Sequence, residues 1–190
     1  IRKIVISSGE VTTLAGLAGI SGTTDGTGMT AKFYRPTGIT TDGTNLYVTD
    51  TYNHTIRKIV ISSGEVTTLA GLPGTSGSMD GPGVSASFNI PALGITTDGN
   101  NLYVADKLNN TIRRISIATG EVSTLAGSSG TSGTSDGIGT SAKFYRPTGL
   151  TTDGTNIYVV DNSNHTIRRI IIATGEVTTL AGAAGIPGST

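Results

Sequence analysis

The chain has 190 residues, 13 basic and 13 acidic side chains and no cysteine. That balance excludes the clustered basic excess that nucleic acid or an anionic membrane draws, and the missing thiols exclude disulfides and thiolate metal sites. No apolar run approaches the roughly 20 residues of a membrane helix, and with charged residues at only 14% and 28 glycines the polarity comes from Thr, Ser and Gly, in a backbone that must turn often.

Residues 1–16, IRKIVISSGEVTTLAG, return letter for letter at 56–71, then as IRRISIATGEVSTLAG at 112–127 and IRRIIIATGEVTTLAG at 167–182. The offsets are 55, 56 and 55 residues, a fixed period that marks a repeat architecture. One unit, 17–71, begins with a loop of about 20 residues, long for a compact domain. The loops share D-G-x-G-x-x-A-x-F at 25–33, 80–88 and 136–144, and a proline follows each Phe by three residues. Phe33, Phe88 and Phe144 are expected to anchor the loops between units, with Asp25, Asp80 and Asp136 near the surface.

Strands follow at 37–41, 45–50, 55–61 and 65–70, joined by Asp42-Gly43-Thr44-Asn45, by Tyr52-Asn53-His54 and by Ser62-Ser63-Gly64. In the third strand Ile56 and Val60 face one way and Ile59 and Ile61 the other, so both faces are expected to be buried. Four short strands at a fixed period predict an all-β propeller of four-stranded antiparallel blades. Three complete blades are expected at 17–71, 72–127 and 128–182, with partial repeats at 1–16 and 183–190. The middle unit carries FNIPALG where the others carry FYRPTG, which accounts for its extra residue. Three blades and a fraction leave open sheet faces, so the remaining blades are expected from the same longer chain or from other copies.

Asp50, Asp106 and Asp161 close the second strand of each unit. They are the metal candidates, but carboxylates a blade-width apart converge only near an axis, so each is expected to cap the turn that follows. Tyr52, Asn53, His54, Asn109, Asn110, Asn164 and His165 occupy those turns and are the binding candidates; two histidines are too few for a His₃ metal site. Asn53, Asn109 and Asn164 also open formal glycosylation sequons, which recur because the turn recurs. Arg57/Lys58, Arg113/Arg114 and Arg168/Arg169 are expected to keep their heads in water and to pair across the hairpin with Glu65, Glu121 and Glu176.

PTGITTDGTNLYVTDTYNHTIRKI at 36–59, PALGITTDGNNLYVADKLNNTIRRI at 91–115 and PTGLTTDGTNIYVVDNSNHTIRRI at 147–170 resemble the NHL-repeat propellers. The DGxGxxAxF loops resemble the bacterial, secreted branch of that family. The resemblance implies a ring of commonly six blades and, for most members, binding of a protein, RNA or glycan. Thr55, Thr111 and Thr166 stand where many members carry Arg, which argues against a basic nucleic-acid face. The near-identity of the units argues against catalysis, which needs unlike groups converging at one place. The expected function is therefore a non-catalytic extracellular binding or structural scaffold, secreted or at a bacterial cell surface, with no cofactor, a protein or glycan partner and no membrane insertion. Two alternatives stand beside it: a metal-dependent lyase or hydrolase with its site on the axis, and a subunit of a surface filament or cell-envelope assembly.

Overall fold

The computed structural model describes residues 1–188; the last two residues of the partial repeat 183–190 lie outside the described part. The chain opens with a hairpin of β1 (Arg2–Ile4) and β2 (Val11–Thr13). Three five-stranded antiparallel sheets follow. The first contains β3 (Gly26–Thr27), β4 (Pro36–Thr41), β5 (Asn45–Asp50), β6 (Thr55–Val60) and β7 (Glu65–Ala70). The second contains β8 (Gly81–Pro82), β9 (Pro91–Thr97), β10 (Asn101–Asp106), β11 (Thr111–Ser116) and β12 (Glu121–Gly127). The third contains β13 (Gly137–Ile138), β14 (Pro147–Thr152), β15 (Asn156–Asp161), β16 (Thr166–Ile171) and β17 (Glu176–Ala181).

Within the first sheet the order is β3-β7-β6-β5-β4, and the other two repeat it. The strands β4, β9 and β14 pack against one another across the seams, so they line the inner side of the array. Four strands of each blade match the sequence pattern; the fifth is a correction. A two-residue segment of the long loop adds itself to the outer edge, where Gly26 pairs with Val66 and Thr27 with Glu65. The D-G-x-G sequence permits this. Gly26 sits at φ +152° and Gly28 at φ +58°, and a Cβ on Gly26 would run into the Thr30 hydroxyl. A single 3₁₀ turn, Gly28–Thr30, then carries the chain back inward.

The first two blades pack on both faces, while the third leaves Val160 and Leu180 exposed on its far face. Ile56 joins Phe88, Leu102, Val104 and Ile115 in the seam between the first and second sheets. Ile59, on the opposite face, joins Phe33, Val66 and Ala15 in the seam toward the β1–β2 hairpin. Phe144, Ile112, Ile157 and Ile170 repeat the arrangement between the second and third sheets. Phe33 is 8% exposed, and Phe88 and Phe144 are fully buried. Each ring presses on a glycine that closes the preceding blade. A Cβ on Gly71 would meet Phe88 Cδ2 at 3.0 Å and the His54 carbonyl oxygen at 2.5 Å.

The extra residue of the middle unit forms a bulge in β9. Leu93 takes φ +43° and remains 59% exposed. Its amide donates to Thr37 Oγ1 at 3.1 Å, and its carbonyl lies where a side chain on Gly38 would stand.

Candidate functional site at the turn end of the blades

Each sheet has two ends, and the residues singled out by sequence divide between them. At one end β5 runs into a 3₁₀ turn, Thr51–Asn53, which ends at His54 in left-handed conformation (φ 59°). Asp50 stands just before that turn and is fully buried. Its carboxylate does not cap the turn's backbone, as the sequence pattern suggested. It accepts the Tyr34 amide at 2.7 Å, the Asn53 side-chain amide at 2.8 Å and Arg57 Nη1 at 2.8 Å.

Arg57 is 1% exposed, which overturns the expectation of a solvated head. Its second nitrogen donates to Asp25 Oδ1 at 2.7 Å and to the Thr24 carbonyl at 3.1 Å. The guanidinium lies 5.1 Å from the centre of the Phe33 ring. The same constellation recurs as Asp106–Arg113–Asp80 over Phe88 and as Asp161–Arg168–Asp136 over Phe144. Asp25, Asp80 and Asp136 keep nearly half of their side-chain surface in water. The six ion pairs among the described residues all belong to these three arginines, so the expected Arg–Glu pairs are absent from them. The register explains it: Arg57 faces Thr68 and Lys58 faces Thr67, whereas Glu65 lies opposite Thr27 at the outer edge.

Burial raises the pKa of Asp50, Asp106 and Asp161 above the ordinary carboxylate value, and Arg and amide donors offset only part of that effect. Asp106 is pushed up to about 6. These carboxylates do not converge. Among the described residues no three His, Cys, Asp or Glu side chains come together as a metal site.

The turn residues proposed as a binding surface also separate. Asn53 donates to the Gly22 carbonyl at 2.7 Å, Asn109 to Gly77 at 2.7 Å and Asn164 to Gly133 at 2.6 Å. All three are buried, which corrects their reading as binding residues and takes the sequons out of reach. His54 is half-buried, and its Nδ1 accepts the Ile90 amide of the next blade at 3.2 Å. Asn110 Oδ1 accepts the Arg146 amide at 2.9 Å in the following seam. An acceptor at that place is the requirement, so His and Asn interchange there. His165 is exposed.

Of the turn candidates Tyr52 faces solvent, at 42% exposure, and it has company that sequence reasoning missed. Tyr34, 41% exposed, stacks at 5.2 Å and 46° to Tyr52, and the Arg35 guanidinium lies 4.9 Å from the Tyr52 ring centre. The third blade repeats part of this with Arg146 5.6 Å from the Tyr145 ring centre. The second blade places Asn89, Ile90, Lys107 and Leu108 at the equivalent rim. The signal was in the sequence as FYRP, FNIP and FYRP.

At the other end of each sheet, Asp42 accepts the Thr44 and Asn45 amides at 2.8 and 2.7 Å and the Tyr47 hydroxyl at 2.8 Å. Asp98 and Asp153 repeat the arrangement with Tyr103 and Tyr158. For Asp42 and Asp98 burial works against ionisation, but the donated hydrogen bonds outweigh it; Asp153 has the bonds almost without the burial. All three carboxyls lie below the ordinary range.

Comparison with known proteins places this geometry. The NHL repeat family matches residues 33–59. Human NHL repeat-containing protein 2 is 38% identical over 107 residues, 55% of this chain and 15% of that protein. An auxiliary nutrient binding protein from Bacteroides thetaiotaomicron superposes with TM-score 0.71 at 21% identity, over 95% of this chain and 43% of its own. Virginiamycin B lyase from Staphylococcus aureus superposes with TM-score 0.51 at 21% identity, over 76% of this chain and 40% of its own. The chain thus spans less than half of each of these proteins.

Proposed function

This chain is built of NHL-type repeats folded as β-propeller blades, and on that premise we propose that it is a non-catalytic binding or scaffold module working outside a bacterial cell. One observation carries the reading. The groups capable of chemistry are spent on structure: in all three blades Asp50, Asp106 and Asp161 each hold an arginine, and in the first two His54 and Asn110 each hold an amide of the next blade, while His165 of the third is exposed. A catalytic centre in such an array needs unlike groups meeting at one place. What differs between blades is the solvent-facing rim at the turn end, where Tyr34, Arg35 and Tyr52 give way to Asn89, Ile90 and Leu108. Differences on a rigid frame are where recognition is built.

The nutrient-binding propeller of similar fold supports a role in ligand capture, and the sparse charge and Thr/Ser/Gly-rich surface support an extracellular setting. The likeness to virginiamycin B lyase is one of fold and carries no chemistry to these residues. The test is a binding screen of the purified protein on immobilised glycans and surface proteins, repeated with Tyr34→Ala/Tyr145→Ala. Specific retention that the double variant loses supports the rim as the binding face. Turnover of a bound compound, dependent on one stoichiometric metal ion, would replace this reading with the lyase one.

A further inference from the structure

We infer that the turn-end rim recognises a carboxylate-bearing polysaccharide, its sugar rings stacked on the exposed tyrosines and its carboxylates held by Arg35 and Arg146. This rests on the rim being a binding face. The first support is charge. The chain is neutral, yet its charges are sorted by position. Asp42, Asp98 and Asp153 lie in the hairpins of the opposite end, and Glu65, Glu121 and Glu176 begin the strands that start there. At the turn end the strand-closing aspartates are buried on their arginines, while Arg35 and Arg146 are exposed and Lys107 is half-buried between them. The half-exposed carboxylates nearest this rim, Asp25, Asp80 and Asp136, are already ion-paired to Arg57, Arg113 and Arg168, so the free charge the rim offers is cationic and selects anions.

The second support is the choice of residue. Positions 35, 90 and 146 are left-handed in all three blades, with φ of 50°, 56° and 52°. Such backbone favours Gly or Asn and disfavours longer side chains. Arginine at two of the three positions is therefore not explained by conformation. Arginine is the side chain whose planar fork meets a carboxylate with two parallel hydrogen bonds. Here the forks are already held over tyrosine rings, at 4.9 and 5.6 Å, which reduces the entropy lost on binding.

The third support is shape. Tyr34, Tyr52 and Tyr145 expose 41%, 42% and 38% of their surface. A tyrosine offers a broad apolar body at low conformational cost, and the C–H face of a pyranose ring is the apolar side of an otherwise polar molecule. The two Tyr–Arg platforms are two blades apart, with Lys107 and Leu108 of the middle blade between them. That suits an extended ligand with widely spaced charges. A nucleic acid brings a phosphate at every residue and needs a denser row of cations than the exposed Arg35 and Arg146 with half-buried Lys32, Lys107 and Lys143 supply across three blades.

The experiment is affinity electrophoresis of the protein in gels containing polygalacturonate, its fully methyl-esterified form, or polyuridylate. Retardation is expected with polygalacturonate alone. Arg35→Ala/Arg146→Ala should weaken it at least 10-fold and Tyr34→Ala/Tyr145→Ala about as much, with melting temperatures unchanged because these side chains are exposed. Arg114→Ala/Arg169→Ala, which removes two cations from the strands, should leave retardation within 2-fold. Equal retardation by the esterified polymer, a stronger effect of polyuridylate, or no loss in the Arg35/Arg146 variant would each overturn the inference. If no polyanion binds but the tyrosine-dependent retention of the screen persists, the carboxylate assignment fails and the binding-module reading stands.

Discussion

Two sets of three aspartates divide this molecule. Asp50, Asp106 and Asp161 close the strands at the turn end, deep in the blade, each against an arginine. Asp42, Asp98 and Asp153 sit in the hairpins of the opposite end, each gathering two backbone amides and a tyrosine hydroxyl. Both sets recur once per blade and both are satisfied. The first is held above the ordinary carboxylate range by burial, the second below it by donated hydrogen bonds. The difference teaches what each does. The buried set ties three separate pieces of chain together, because Arg57 reaches Asp50, Asp25 and the loop carbonyls of Thr24 and Lys32 at once. The hairpin set fixes a four-residue turn and ties it to a tyrosine of the strand that follows, five residues on.

Removing an arginine should have the largest effect. Arg113→Ala strands Asp106 in the interior and unties Asp80, and breaking a buried pair from one side costs about 3–5 kcal/mol. Urea unfolding followed by far-UV circular dichroism checks it. The double variant Arg113→Met/Asp106→Asn should recover part of the loss, since no buried charge is then left unpaired and Asp80 is half-exposed to water. A loss below about 1 kcal/mol for Arg113→Ala would show that the clamp is ornamental. Phe88→Ala should come next, at about 3–5 kcal/mol, because the ring is wholly buried between two sheets and also faces the Arg113 guanidinium at 5.0 Å. Near-native unfolding of that variant would mean that the loop contributes little to the seam.

How much of this was legible in the sequence follows the same division. The hairpin set could be read directly: Asp-Gly-x-Asn between two β-branched runs is a turn with a local cause, and the observed strands Asn45–Asp50 and Glu65–Ala70 coincide with the predicted ones. The buried set was visible as recurring letters but not as a network. Arg57 meets Asp50 seven residues back and Asp25 thirty-two residues back, and no strand periodicity spans those separations. An arginine between two isoleucines looks like a solvent-facing position of a half-buried strand, and only packing on both faces turns it inward. The Gly26–Thr27 strand escaped notice because two residues carry no period. The Tyr-Arg rim was legible as a departure of FNIP from FYRP, but its direction depends on left-handed backbone that the sequence does not announce in Arg or Ile.

A smaller effect is expected in the hairpins. Asp98→Ala removes acceptors from the Asn100 and Asn101 amides and from Tyr103, which should cost about 1–3 kcal/mol. Tyr103→Phe, which deletes the hydroxyl and keeps the buried ring, should cost about 1 kcal/mol. The ratio of the two separates the turn from its link to the strand. An equal loss in both would mean that the hydroxyl alone holds the hairpin.

The smallest effect, and the one that sets the two groups of aspartates against each other, is on the pH dependence of stability. A group with a raised pKa in the folded protein binds its proton more tightly there than in the unfolded chain. For Asp106, between the folded value of about 6 and the ordinary 3.8, the folded state therefore holds more protons, and this group makes stability rise as pH falls from 6 toward 4. Asp50 and Asp161 act in the same direction. The lowered set works with the opposite sign: the stability from Asp42, Asp98 and Asp153 is complete above the ordinary carboxylate range and is lost as pH falls below about 4 through their depressed values. His54, lowered by burial, opposes the first set from about pH 6.5 downward, so the measurement belongs in His54→Asn, which copies the Asn110 acceptor of the next seam. In that background, urea midpoints should rise between pH 6 and pH 4 and fall below it. Adding Asp106→Asn should flatten the rise and spare the fall, and adding Asp98→Asn should do the reverse. Midpoints that decline steadily from pH 7 would mean that the buried aspartates are held ionised by their arginines as firmly as the hairpin set is by its amides, and the contrast between the two ends would be lost.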